Sequence, residues 1–300
     1  MKLTEDISPA SLEDRIRDRE RSVQNIKPDA QARIVWYDVQ KKAPTPWSLV
    51  YLHGFTANHI EGYPLHLELA EHFGMNLYLS RLPAHGTRPE ALETMSVNQL
   101  VSYAQEAMEI GSAIGRKVLV MGTSTGGSLA LYLATQHSRI GGILLYAPLI
   151  DFHDKKARLC KYPLFKNVIG RWFKNRYIGS DYNDNNAALE RIWYGDYPLN
   201  GVLELGEFVN QYIKPSLLRQ ISCPVFAGYY YKNRKEQDQV VSVEAIKKMM
   251  NTLATPNDLK REVAFPDAGH HVICSPLTSQ SVDRVLDESK QFVEQIPGPN

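Results

Sequence analysis

Residues Val118 to Leu131 constrain this chain more than any other stretch; they read Val-Leu-Val-Met-Gly-Thr-Ser-Thr-Gly-Gly-Ser-Leu-Ala-Leu. An apolar run rich in β-branched residues gives way at Gly122 to small residues, then to helix formers from Ser128 to Ala134. That order predicts strand, sharp turn and helix. The turn, Gly122-Thr123-Ser124-Thr125-Gly126, matches G-x-S-x-G, a pattern in which the central serine is strained and its hydroxyl projects from the strand end. Glycines two residues either side are needed because a Cβ there would collide with the neighbouring strand or helix. Ser124 is therefore a candidate nucleophile. The backbone N–H of Thr125 and the positive end of the following helix would face negative charge formed during attack. A small-residue turn also forms without any chemistry, so the decision rests on what accompanies it.

A nucleophilic hydroxyl needs a base to take its proton and a carboxylate to orient that base. In a parallel sheet all three come from loops at the carboxyl ends of strands. Pro224 to Tyr230 and Lys260 to Phe265 read as strands; the first leads into a polar loop holding Glu236 and Asp238, the second into Pro266-Asp267-Ala268-Gly269-His270-His271. Asp238 and His270 are the candidate acid and base, with Glu236 and His271 as rivals. Asp238 is preferred to Glu236 because it leads into the Val240-Val241-Ser242 step before a helix. Earlier, the strand Ser48 to Leu52 ends in His53-Gly54-Phe55-Thr56, where the glycine lets the N–H of Phe55 turn inward as a second oxyanion donor.

Around these motifs the chain alternates predicted strands (Ala32 to Gln40, Asn76 to Arg81, Ile140 to Ala147) with helices (Tyr63 to Phe73, Ser96 to Ile114, Thr278 to Gln295). Pro9 to Gln24, with Leu12, Ile16 and Val23 among many charges, reads as an exposed or loosely docked N-terminal helix. The alternation breaks between Asp151 and Ser222, a segment rich in aromatic residues (Tyr162, Phe165, Trp172, Phe173, Tyr177, Trp193, Tyr194, Tyr197) with only short helical signals. The expected organisation is an extension over 1–30, a core over 31–150 and 223–300, and a cap over 151–222 whose aromatics line an acyl pocket or pack the cap down.

Thirty-four basic against thirty-three acidic residues give no surface suited to nucleic acid. The start lacks an apolar signal and no window reaches some 18 apolar residues, so a soluble, cytoplasmic protein without stable membrane insertion is expected. Cys160, Cys223 and Cys274 are odd in number and widely spaced, which fits free thiols in a reducing compartment. His59, His66 and His72 lack ligand spacing and read as surface or core histidines. His85 reads as shaping its loop. The oligomeric state stays open.

His53-Gly54-Phe55, Gly122-Thr123-Ser124-Thr125-Gly126-Gly127, Asp238-Gln239-Val240-Val241 and Ala268-Gly269-His270 together resemble the α/β-hydrolase superfamily, in particular its carboxylesterase, monoacylglycerol lipase and serine-aminopeptidase-like branch. The likeness runs from about Ser48 to the C-terminus outside the cap. It implies an α/β-hydrolase fold with a mostly parallel sheet, Ser124 as nucleophile, Asp238 as acid, and His270, which follows Gly269, as base. It further implies the N–H groups of Phe55 and Thr125 as oxyanion hole, no metal or organic cofactor, and a small acyl ester as substrate. An amide, thioester or acyl-transfer activity is the alternative. An aminopeptidase would use acidic cap residues such as Asp181, Asp184, Glu190, Asp196, Glu204 and Glu207. A ligand-binding protein without catalysis is the non-enzyme alternative.

Overall fold

Short apolar runs bounded by turn residues form strands β1 (Arg33–Val35), β2 (Thr45–Leu52), β3 (Asn76–Leu79), β4 (Gly115–Thr123), β5 (Ile140–Tyr146), β6 (Tyr177–Gly179), β7 (Asp196–Pro198), β8 (Val225–Tyr230) and β9 (Lys260–Phe265). The computed structural model describes residues 8–162, 164–166, 176–179 and 186–298. Helices α1 (Pro9–Ser22), α2 (Leu65–His72), α3 (Val97–Ile114), α4 (Thr125–Ala134), α5 (Leu199–Tyr212), α6 (Val243–Thr252) and α7 (Val282–Glu294) lie between and around them.

Seven strands form one sheet in the order β1-β3-β2-β4-β5-β8-β9, with β1 antiparallel to β3 and the other neighbours parallel. Because successive side chains alternate faces, the central strands sort their apolar residues into two cores. Val50, Leu52, Val118, Val120, Ile143 and Leu145 pack under α1, α3, α4, α5 and α6, while Leu49, Leu119, Met121, Leu144 and Tyr146 pack under α2 and α7. Burial on both faces explains why β2, β4 and β5 read as unbroken apolar runs. The α/β-hydrolase expectation of a mostly parallel, helix-flanked sheet describes this arrangement. α3 begins with a capping box: the Ser96 side chain accepts from Gln99 N while Gln99 reaches back to Ser96 N.

Two expectations change. α1 is firmly docked: Leu12 and Ile16 are each 1% exposed, and the buried Glu20 carboxylate accepts from Ala32 N at 3.0 Å and from Arg81 Nε at 2.6 Å. The many charges of α1 hid this, because one of them turns inward onto an arginine from the loop after β3. Residues 151–222 also hold more than short helical signals, since α5 runs for 14 residues and sends Leu205, Phe208 and Val209 into the larger core. Its two glycines, Gly201 and Gly206, lower helix propensity and masked the stripe at 202, 205, 208, 209 and 212. β6 and β7 pair antiparallel as a separate ribbon in the same segment. Trp172, Phe173, Asp181 and Asp184 lie outside the described residues.

Ile16→Ala separates docked from loose. A fully buried position predicts a loss of about 2–4 kcal/mol in urea denaturation, whereas a loosely held helix would lose less than about 0.5 kcal/mol.

Candidate active site

The turn between β4 and α4 holds Ser124 at φ +52° and ψ −113°, a region that non-glycine residues occupy only when their surroundings compel it. Those surroundings are close-packed. A Cβ on Gly126 would lie 1.9 Å from the carbonyl oxygen of Leu52, so only glycine lets α4 descend onto the end of β2. The backbone of Ser124 is pinned from both sides: its N–H donates to Tyr146 O at 2.9 Å, and its carbonyl accepts from Leu149 N at 3.0 Å. Thr125 is the first residue of α4, so its N–H has no helical carbonyl ahead of it.

β2 ends at Leu52 and delivers His53-Gly54-Phe55 beside this turn; an added Gly54 Cβ would come within 3.4 Å of Ser124 Cβ. Phe55, Ser124 and Thr125 all line one cavity of about 390 Å³. Its apolar wall includes Leu149, Phe152, Ile178, Tyr197, Val202 and Leu205, contributed largely by the segment that leaves the sheet after β5.

The loop after β8 settles which carboxylate faces inward. Asp238 is fully buried, and its Oδ1 accepts from Val240 N at 2.8 Å and Val241 N at 2.9 Å. Glu236 is half-exposed and bound instead to Lys232 Nζ at 3.0 Å and Asn233 Nδ2 at 2.7 Å. The loop after β9 brings His271, rather than the expected His270, to that carboxylate. His271 Nδ1 lies 2.6 Å from Asp238 Oδ2, whereas His270 uses its Nδ1 to accept from Val272 N at 3.0 Å. Gly269, at φ +69°, turns the chain so that the first imidazole folds back on its own loop and the second points at the carboxylate. Both rings border the cavity. The sequence carried one signal for this: His271, not His270, directly abuts the buried run Val272-Ile273-Cys274.

Burial pushes the His271 imidazole down, but the charge and hydrogen bond of Asp238, with a contribution from Glu61, more than offset it and hold it above its ordinary 6.5. Glu61 is a site residue that sequence reasoning missed. It is 1% exposed, lines the cavity, and accepts from the N–H of Gly54, from Tyr51 OH at 3.2 Å and from Trp193 Nε1 at 3.2 Å. Burial raises its carboxyl to about 7 against those hydrogen bonds.

Of the acidic residues proposed to hold an amine, Glu204 accepts from Val97 N at 3.0 Å and pairs with Lys166, which also binds Glu207. Neither lines the cavity. Among the described residues no cluster of histidine, cysteine, aspartate or glutamate could hold a metal, and no helix is long and apolar enough to cross a membrane.

The sequence profile of the Alpha/beta hydrolase family matches residues 49–288. The chain belongs to the α/β-hydrolase family. A thermostable monoacylglycerol lipase from Bacillus sp. (strain H-257) is 28% identical over 180 residues, which span 60% of this chain and 67% of that enzyme. Among solved structures, this α/β-hydrolase chain is similar to one from a study of the metagenome-derived lipolytic enzymes LipS and LipT, with a TM-score of 0.71, 16% identity, and 90% and 100% of the two chains covered. It is also similar to a soluble variant of monoglyceride lipase from Saccharomyces cerevisiae bound to a substrate analogue, with a TM-score of 0.66, 15% identity, and coverage of 92% and 98%.

Beside the site sits a group of buried histidines. His59 and His66 are core residues, as is His53, which donates from Nδ1 to Gly54 O at 2.9 Å and accepts at Nε2 from Leu82 N at 2.9 Å, an arrangement open only to the neutral ring. His85 packs edge-on against His53 and Phe55, in keeping with a loop-shaping role. Burial lowers His59 to about 3, His66 and His85 to about 4, and His53 well below 6.5. These rings take up protons only on unfolding, so their stabilisation is complete above pH 6.5 and is lost as pH falls towards their folded values. Glu61, raised, acts with the opposite sign over this range, one group against four, while His271, raised above 6.5, has its effect above that pH. Urea unfolding should therefore show stability falling between pH 6.5 and 5, by up to roughly 1.4 kcal/mol per pH unit for each uncompensated histidine; a flat or rising profile would count against neutral burial.

Proposed function

We propose that this α/β-hydrolase is a serine hydrolase cleaving carboxylic esters, with Ser124 as nucleophile, His271 as general base and Asp238 as the carboxylate that orients it. The observation carrying this reading is the 2.6 Å contact between His271 and the buried Asp238, on the same cavity that Ser124 borders. Ser124 Oγ attacks the ester carbonyl carbon as His271 Nε2 takes its proton; Asp238 holds Nδ1–H and stabilises the imidazolium. The N–H groups of Phe55 and Thr125 stabilise the oxyanion. Collapse of the tetrahedral intermediate breaks the C–O bond, and His271 returns the proton to the leaving alcohol. Water, deprotonated by the same ring, then attacks the acyl-enzyme, releasing the carboxylic acid and restoring Ser124.

Residues 151–222 act as a cap. Their apolar contribution to a cavity of about 390 Å³ suits an acyl chain of short to medium length on a small polar alcohol, such as a monoacylglycerol. The similarity to the Bacillus monoacylglycerol lipase supports that class. An amine-recognising peptidase is disfavoured because Glu204 and Glu207 are engaged by Lys166 away from the cavity. The free thiols Cys160, Cys223 and Cys274 suit a cytoplasmic setting.

Ser124→Ala and His271→Ala should each lower kcat on p-nitrophenyl butyrate by about 10⁴-fold or more, while His270→Ala stays within about tenfold because that ring stands outside the relay. Full loss in His270→Ala with activity kept in His271→Ala would reverse the assignment. Asp238→Asn should cost orders of magnitude and Glu236→Gln almost nothing. With His271 raised above 6.5, the acid limb of kcat/KM should fall above that pH.

A further inference from the structure

The proposed reaction uses Ser124, His271, Asp238 and two backbone N–H groups, yet a second buried carboxyl borders the same cavity. Its contacts set it apart from an ordinary buried acid. One oxygen of Glu61 accepts from the N–H of Gly54, the residue immediately before the oxyanion donor Phe55, and from Tyr51 OH at 3.2 Å; the other accepts from Trp193 Nε1 at 3.2 Å. Gly54 belongs to the loop leaving β2, whereas Trp193 belongs to the inserted segment and itself lines the cavity. Glu61 and Ser124 also meet at Gly54: an added Gly54 Cβ would lie 3.2 Å from Glu61 Oε1 and 3.4 Å from Ser124 Cβ.

We propose that Glu61 is a positioning residue that fixes the Gly54–Phe55 oxyanion loop against Trp193 of the cap, so that seating of the cap and aim of the Phe55 N–H are set together. The proposal rests on the assignment of Ser124 and Phe55 above. A carboxylate suits this task because it is acceptor-only and meets three donors, two from the end of β2 and the loop leaving it and one from the inserted segment. Glutamine would not: one end of its amide donates, and would face either Gly54 N–H or Trp193 Nε1–H donor to donor. Alanine would release the loop altogether.

The titratable groups facing Glu61 are Tyr51 from β2, Cys274 from the loop before α7, and His271 from the loop after β9. The Glu61 carboxylate favours the protonated form of His271, which gives the proposal a signature that loose packing alone would not produce.

The test compares wild type, Glu61→Gln, Glu61→Ala, Trp193→Phe, the double variant Glu61→Gln with Trp193→Phe, and Ser124→Ala, using p-nitrophenyl butyrate turnover and fluorophosphonate labelling. Glu61→Gln should lower kcat by 10- to 100-fold with KM changed less than threefold, and move the acid limb of kcat/KM to lower pH. Because Trp193→Phe removes one of the opposed donors, Glu61→Gln should cost less in that background than in wild type. Wild-type kcat in Glu61→Gln or Glu61→Ala, an unmoved acid limb, or equal costs in both backgrounds would overturn the proposal. If Glu61→Gln fails to fold, Trp193→Phe alone decides: a threefold or greater fall in kcat supports the link, and full kcat overturns it. Retained labelling in Ser124→Ala would instead overturn the nucleophile assignment, so the two failures are distinguishable.

Discussion

The close approach of Gly126 to the Leu52 carbonyl is the contact on which the rest of the site depends. It brings the first turn of α4 down onto the last residue of β2, leaving room for nothing larger than hydrogen. Two consequences follow from that single contact. Ser124 must bend through a positive φ to connect β4 with so low a helix, and the loop that begins at His53 must run past the helix N-terminus. Ser124, the proposed nucleophile, and both candidate oxyanion donors are thus placed by one steric constraint between two central strands. The backbone strain, of order 1–3 kcal/mol, is held by the hydrogen bonds that Ser124 donates to Tyr146 O and accepts from Leu149 N, and by the surrounding apolar core.

Electrostatics are arranged around that rigid centre by burial. Asp238 has both oxygens occupied, by two backbone N–H groups and an imidazole, so it sits in the interior as a satisfied anion. His271 is thereby fixed in one tautomer with Nδ1 carrying the proton toward Asp238, and Nε2 is the nitrogen left for the proposed role as base. The four neighbouring histidines do the opposite work. Kept neutral by burial, His53 and His85 pack beside Phe55 as rings that add no charge next to the candidate oxyanion donor, and His59 and His66 pack behind Tyr51 in the same state.

How much of this could be read from the residues follows from how local each determinant is. The G-x-S-x-G turn, the His-Gly step and the strand sequence of the sheet are short-range patterns, and they predicted the family, the fold, and Ser124, Asp238, Phe55 and Thr125 as the residues to inspect. His270 against His271 was not local in that sense: the two are adjacent, and the outcome turned on the left-handed conformation of Gly269 and the position of a carboxylate 33 residues away. α5 was hidden by glycines, and the docking of α1 by an inward-facing ion pair between Glu20 and Arg81. Glu61 gave no signal at all. A lone glutamate between isoleucine and glycine reads as surface, and only the convergence of Tyr51, Gly54 and Trp193 makes its burial tolerable.

The same reasoning explains why specificity in such a chain is harder to read than chemistry. The reacting groups come from the ends of strands whose positions are dictated by the sheet, so their chemistry survives wide variation elsewhere. The cavity wall is built from Phe152, Ile178, Tyr197, Val202 and Leu205, which belong to a ribbon, a helix and the loops joining them rather than to the sheet. The stretch between the two strands of that ribbon is tied down by long-range hydrogen bonds: Asn58 Nδ2 donating to Arg191 O at 2.9 Å, the N–H of Thr87 donating to Tyr194 OH at 2.9 Å, and Lys27 Nζ donating to Trp193 O at 2.9 Å. Each joins the inserted segment to the N-terminal half of the chain, close to the oxyanion loop. The shape of the cavity and the aim of the proposed oxyanion donors therefore share a boundary, and a substitution that moves one has a direct mechanical route to the other.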